Sequence, residues 1–265
     1  MIAIAYVAGS IPTGYWVAKL VKGIDIREHG SKSTGATNVL RCVGKGPALF
    51  VFLFDIFKGY APVAAAAYFD GGRPDWALFG ITHGCAPLCA LAALIGHSKS
   101  IFLGFQGGKS AATGLGTVIA LSNPVGALLF ATWLLVLWAT KIVSVASIAA
   151  VWLLPVYFYL LQCPPAQVAY GVMALIYVTL RHKANIKRLM EGTEPKIGQK
   201  ARNAAAEEQA ASATEAAAAK TSATQAEAEA AAAQTDRQNT ADQAHSSKKS
   251  KESGDSKHSR ESLQS

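Results

Sequence analysis

Seven apolar stretches of this 265-residue chain are candidates to cross a lipid bilayer, and nothing else in the sequence restricts the fold as tightly. A hydrocarbon core of about 30 Å takes roughly 20 mainly apolar residues in helix, because lipid offers no partner to an open backbone group. The stretches run from Met1 to Val21, Pro47 to Phe69, Trp76 to Ile95, Ala111 to Leu121, Pro124 to Thr140, Ile142 to Leu161 and Ala166 to Leu180. They predict an all-α, polytopic integral membrane protein of about seven transmembrane helices. The fourth is Gly-rich and too short to span unaided. The first begins at Met1 without a basic leader and carries Gly9, Pro12 and Gly14 with no cleavage site, so it reads as a retained first helix.

Charge orients these runs. Residues 1–198 hold 16 Lys and Arg against 7 Asp and Glu, whereas residues 199–265 hold 9 against 10. The excess of Lys and Arg lies between long apolar runs, which excludes a soluble nucleic-acid binder. With the N-terminus outside, the inner segments gather Lys22, Arg27, Lys32, Arg41 and Lys45, then Lys99 and Lys109, Lys141, and finally the cluster from Arg181 to Lys196. The outer loops keep only Arg73, beside Asp70 and Asp75. Positive charge concentrates on the cytoplasmic side, so the C-terminus is expected there too. Without the fourth span the Arg181 cluster would face outward, which argues for keeping it. Cys42, Cys85, Cys89 and Cys163 are scattered over compartments, so no disulfide framework is expected. Cys85 and Cys89 share a helical face, and small residues at a helix contact explain them better than a metal site. Residues 1–198 are expected to form one membrane-embedded domain. Residues 199–265, rich in Ala, Ser and Lys and holding a single Leu, read as a low-complexity, disordered cytoplasmic tail.

Three polar segments share the inner face. The loop after the first run places Ser31, Ser33, Thr34 and Thr37 among Gly30 and Gly35, with Asn38 and Arg41 following. Hydroxyls, glycine amides and a guanidinium suit phosphate oxygens, although an ordinary turn into a helix capped by Thr37 or Asn38 accounts for the composition equally well. The second segment contains His97 and Gly107-Gly108-Lys109-Ser110. Its glycine spacing fails the nucleotide P-loop pattern, yet two glycines, a lysine and a helix start still make an anion site. The plainer account is a Gly-rich packing turn. In the third, His182 and Asn185 lie three apart on one helix face, while Arg181, Lys183, Lys187 and Arg188 are explained equally well as topology anchors. Asp55 and Lys58, one turn apart inside the second run, are costly there and are expected to pair as a site or its buried support.

Taken in order, Gly9-Ser-Ile-Pro-Thr-Gly14, Gly30-Ser to Arg41, Asp55-Ile-Phe-Lys-Gly59, Gly96-His to Thr113 and Arg181-His to Glu194 resemble the motifs of the acyl-phosphate:glycerol-3-phosphate acyltransferase family, PlsY. The resemblance covers essentially Met1 to Gly198. It implies a bacterial inner-membrane enzyme that moves a fatty acyl group from acyl phosphate to the 1-position of glycerol 3-phosphate, giving lysophosphatidic acid and phosphate, the first acylation of phospholipid synthesis. No cofactor, metal or nucleic acid is implied, and a hand-off to other phospholipid-synthesis enzymes is a further expectation. Carried over by position, Ser31, Thr37, Asn38, Arg41, Gly107, Gly108, Lys109 and Ser144 would bind substrate phosphate, His97, His182 and Asn185 would serve the chemistry, and Asp55, Lys58 and Glu194 would support them. Ser33 and Gln106 depart from the family pattern, which usually has Asn and Lys there. No histidine is followed five residues on by Asp, which excludes the His-Asp dyad of other acyltransferases and leaves the general base open between His97, His182 and a substrate phosphate. A transporter of a phosphorylated metabolite is the rival reading, and a scaffold built on the tail is a third. The first lacks an internal repeat and any anion site on the outer face, and the second ignores the motifs.

Overall fold

The computed structural model describes residues 1–70 and 84–199. The chain divides into two units, Met1–Lys200 and Ala201–Ser265, and every described residue belongs to the first. The tail and residues 76–83 of the expected third run lie outside the described residues.

The first apolar run is two helices rather than one, α1 (Ile2–Ser10) and α2 (Thr13–Lys22). Pro12 has no N–H to donate and pushes Ile11 out of the helical region, to φ −53° and ψ 116°. The Ile11 carbonyl at this break accepts the Thr13 N–H at 3.0 Å and a hydrogen bond from Lys58 Nζ at 2.7 Å. Next comes α3 (Ala36–Cys42), with extended Gly35 at its N-cap and no side-chain cap. Thr37 and Asn38, the expected caps, therefore sit inside the first turn. A long α4 (Lys45–Asp70) follows; its 26 residues reach about 39 Å, enough to cross a bilayer.

Beyond residue 84 come α5 (Cys85–Ser98), a 3-10 turn at Ile101–Leu103, α6 (Ala111–Leu121), α7 (Asn123–Thr140), α8 (Val143–Leu160), α9 (Pro165–Arg181) and α10 (Lys183–Met190). By length and composition α4, α7 and α8 are able to cross a membrane. Only about 16 Å long, α6 packs against α4, α5 and α7, which bury its middle from Thr113 to Val118.

Small residues let these helices approach closely. A Cβ at Gly9 or Gly96 would fall on a backbone carbonyl oxygen across the α1–α5 contact, and one at Gly59 or Gly116 on a carbonyl across α4–α6. Ala5, Ala90 and Ala93 continue the packing in the buried core. Large apolar side chains such as Leu135, Trp138, Tyr159 and Leu180 instead point outward and are exposed, a surface suited to lipid. Cys42, Cys85 and Cys163 are free thiols.

Candidate active site

The loop between α2 and α3 is held together by one amide. Asn38 is buried, and its Nδ2 donates to the carbonyls of Ile26, His29 and Ser33 at 3.2, 2.9 and 2.9 Å. Its Oδ1 accepts the Ser31 N–H at 2.8 Å. With every polar atom engaged, Asn38 shapes the loop from inside. Gly30 adopts φ +58° against it, where a Cβ would strike Asn38 Oδ1. Within the loop Arg27 meets Asp25 at 2.6 Å and lies over the Tyr15 ring at 5.0 Å. The side-chain hydrogen bond from Arg27 draws the Asp25 carboxyl down to about 2 against the opposing effect of burial. Ser31, Thr37 and Arg41 face a shared cavity instead.

The second segment folds back on His97. Gly108 N–H donates to the His97 carbonyl at 3.1 Å; a Cβ there would strike His97 Nε2, and one at Gly107 the His97 carbonyl oxygen. Neither glycine lines the cavity, and the Gly108 amide is engaged by the His97 carbonyl, so both glycines pack closely against His97. His97 reaches the cavity wall, with Nδ1 3.0 Å from Thr113 Oγ1 and 3.8 Å from Asp55 Oδ1. Asp55 in turn pairs with Lys58 at 2.6 Å, both buried, so the intramembrane charges neutralise one another and brace His97 and the Ile11 break. Lys109 does line the cavity, beside the start of α6, whose first amides add partial positive charge. Gln106 is exposed and away from the cavity, whereas Ser33 lines it.

The third segment converges on Glu194. Its Oε1 accepts from Asn185 Nδ2 at 2.6 Å and Ser144 Oγ at 2.8 Å, and its Oε2 from Arg188 Nε at 2.7 Å. Burial alone would raise this carboxyl, but the Asn185, Ser144 and Arg188 hydrogen bonds outweigh it and hold Glu194 below its ordinary value. Because Asn185 donates to Glu194, its buried Oδ1 is left without a protein partner. His182 Nδ1 lies 2.8 Å from the Val178 carbonyl; a carbonyl only accepts, so Nδ1 carries the proton and Nε2 a lone pair. Burial pushes His182 down to about 4, which keeps it neutral. Arg181 Nη2 donates to the Gly108 carbonyl at 3.2 Å and ties this segment to the second. Arg181 and Arg188 therefore do more than anchor topology, whereas Lys183 and Lys187 are exposed.

These groups surround one cavity of about 340 Å³. One end carries Arg41, Lys109, His182, Asn185, Ser144 and Glu194; the remainder is walled by Phe52, Leu115, Leu129, Trp133, Val151 and Leu154. Burial, with Arg188, Arg41 and Arg181 nearby, lowers Lys109 to about 8 despite the pull of Glu194. Arg41 is lowered too, chiefly by burial. A crowded, half-buried set of cations beside an apolar channel favours a molecule with an anionic head and a long apolar body. The motifs located the polar end. The apolar walls went unread because their residues look like any helix-packing residue until the fold faces them inward.

Residues 1–192 match the family model for glycerol-3-phosphate acyltransferase. A glycerol-3-phosphate acyltransferase of a Synechococcus species is 47% identical over 195 residues, 74% of this chain and 91% of that protein. The protein of that name from Gloeobacter violaceus is 45% identical over 198 residues, covering 74% and 93%. A crystal structure of PlsY, an integral membrane glycerol 3-phosphate acyltransferase, in its glycerol 3-phosphate form is 36% identical, with a TM-score of 0.68 over 74% of this chain and 94% of that one. Its lysophosphatidic acid form gives 35% identity and a TM-score of 0.66 over 74% and 93%.

Proposed function

The chain belongs to the glycerol-3-phosphate acyltransferase family, and on that premise we propose that it transfers a fatty acyl group from acyl phosphate to the 1-position of glycerol 3-phosphate, releasing lysophosphatidic acid and phosphate. The observation that carries this reading is the cavity whose cationic end and apolar length are continuous. An acyl phosphate has the same two parts, with its reactive carbonyl at their junction.

In the reaction the glycerol hydroxyl oxygen adds to the acyl carbonyl carbon. The bond from that carbon to the phosphate oxygen then breaks, and its electron pair leaves with the phosphate. Acyl phosphate is an activated mixed anhydride, so the protein's main task is to hold two anions together and offset their repulsion. Arg41 and Lys109, with the hydroxyls of Ser31, Thr37 and Ser144, take the phosphates. His182 Nε2 and Asn185 Oδ1 are both acceptors with no protein donor assigned to them, suited to orient the glycerol hydroxyls. A His182 basicity as low as about 4 suits an acceptor that aligns the hydroxyl, while the departing phosphate takes the proton. Asn38, Asp55, Lys58, Gly107, Gly108 and His97 position the loops that carry these groups, and Glu194 holds Ser144 and Asn185 in register.

The same reading sets residues 1–198 in the bacterial cytoplasmic membrane as seven spans, N-terminus outside, with the cavity's polar end at the cytoplasmic face where a soluble acceptor arrives. The test is phosphate release by the purified protein in detergent, given palmitoyl phosphate with and without glycerol 3-phosphate. Release that requires the acceptor and matches lysophosphatidic acid one for one is expected. Release without acceptor, or no lysophosphatidic acid from folded protein, overturns the proposal.

A further inference from the structure

The far end of the cavity is lined by residues that the chemistry above does not use. On α9 and at its C-cap the lining residues recur every fourth position, His182, Val178, Ala174 and Tyr170, a single helix face. From His182 to Tyr170 this stripe descends about 18 Å. On α8 the lining runs from Ser144 to Leu154, about 15 Å. One leaflet of a bilayer core is about 15 Å thick, so the cavity has the depth of one membrane fatty acyl chain. Below Tyr170 the α9 stripe no longer lines the cavity; Gln167 Nε2 donates to the Leu121 carbonyl at 3.2 Å and draws α9 against the end of α6.

Tyr170 is held at the bottom from two sides. It is fully buried, and its ring meets the fully buried Phe158 edge to face at 6.4 Å between centroids. Its hydroxyl lies 2.6 Å from Thr117 Oγ1, and Thr117 in turn donates its single hydrogen to the Gly114 carbonyl at 2.7 Å. Tyr170 is therefore the donor of that pair. A phenol in an apolar recess is costly unless bonded, so the hydroxyl has one good position and the ring cannot swing away.

We propose that Tyr170, pinned by Thr117 and backed by Phe158, is the floor of the acyl-chain site and sets the longest fatty acyl group that the enzyme accepts. The proposal rests on the acyl-phosphate reading above. Each methylene buried in an apolar site favours binding about fourfold, while one methylene too many against a closed end discriminates by about tenfold or more. The result is a chain-length cut-off rather than a gradual preference.

The test presents the full chain, in detergent, with a mixture of lauroyl, palmitoyl, stearoyl and arachidoyl phosphates plus glycerol 3-phosphate, and measures each lysophosphatidic acid by mass spectrometry. Tyr170→Ala should move the cut-off to longer chains and raise the ratio of kcat/KM for the first excluded donor to that for the last accepted one by about tenfold or more. Ala174→Leu, one turn above the floor, fills space and should move the cut-off the other way. Should Tyr170→Ala fail to fold, Tyr170→Leu and the space-filling Ala174→Leu still decide the matter. An unshifted cut-off in folded Ala174→Leu and in a folded Tyr170 variant overturns the floor. If the wild-type protein uses no acyl phosphate of any length, the donor reading fails first and takes the floor with it.

Discussion

Lys109 is the residue whose charge is most finely set. Burial lowers it to about 8, below the ordinary lysine value, so the free enzyme loses this cation as pH rises through about 8. The alkaline limb of kcat/KM should fall there, since that ratio reports the free enzyme. Lys109→Arg should remove the limb, because a guanidinium stays charged; a limb kept at the same pH would assign it to another group. Replacing Arg41 or Lys109 by Ala should cut kcat/KM by roughly ten- to a hundred-fold, the worth of a charge-assisted phosphate contact, with near-native yield of folded protein. Unchanged turnover in either would remove that residue from the site. Glu194 acts in the opposite sense. Its carboxyl lies below its ordinary value, so its contribution to stability is complete above about 4.5 and is lost as pH falls through its folded-state value. Glu194→Gln cannot accept from Ser144, Asn185 and Arg188 at once, and about 1–3 kcal/mol should be lost, read as a lower Tm in detergent. An unshifted Tm would refute its role as the hub.

Among the elements, the close helix contacts are the most sensitive to substitution. Gly96→Ala and Gly116→Ala each drive a methyl into a carbonyl oxygen of a neighbouring helix and should cost about 1–3 kcal/mol or more. Gly46→Ala, with open space around it at the start of α4, should be neutral or slightly stabilising. Equal thermal stability of all three would show that the contacts are loose. Helices were the easiest part to read from sequence. The fourth run reappears as α6 with the bounds its apolar residues suggested, and α9 differs from the last run by a residue at each end. The first run misled because hydropathy does not register a missing N–H, and Pro12 divides it. Gly107 and Gly108 fit the pattern of an anion loop and of a packing turn alike, and the His97 carbonyl that they pack against is a tertiary neighbour that the pattern does not show.

For the whole molecule, the site is drawn from segments far apart in the chain, and the motif order made its polar half legible. Ser31, Thr37, Arg41, Lys109, Ser144, His182 and Asn185 do meet at one cavity. Tyr170 and Thr117 went unnoticed, although a tyrosine and a threonine inside apolar runs are the polar signal that marks them. The charge asymmetry makes its own prediction: a protease added to spheroplasts should reach a tag at the N-terminus and spare one at the C-terminus, and the reverse pattern would invert the topology. The link from Lys58 to the Ile11 carbonyl bears on how such a protein is made. Ribosomes add about 5–20 residues per second, so the stretch between Ile11 and Lys58 takes several seconds to synthesise. Throughout that interval the Ile11 carbonyl has the Thr13 N–H alone, and its second donor arrives only when the next long helix brings Lys58 and its counter-ion Asp55 together. The first segment therefore gains its full set of contacts only after the second has been made, which ties the late steps of its maturation to the arrival of a neighbour.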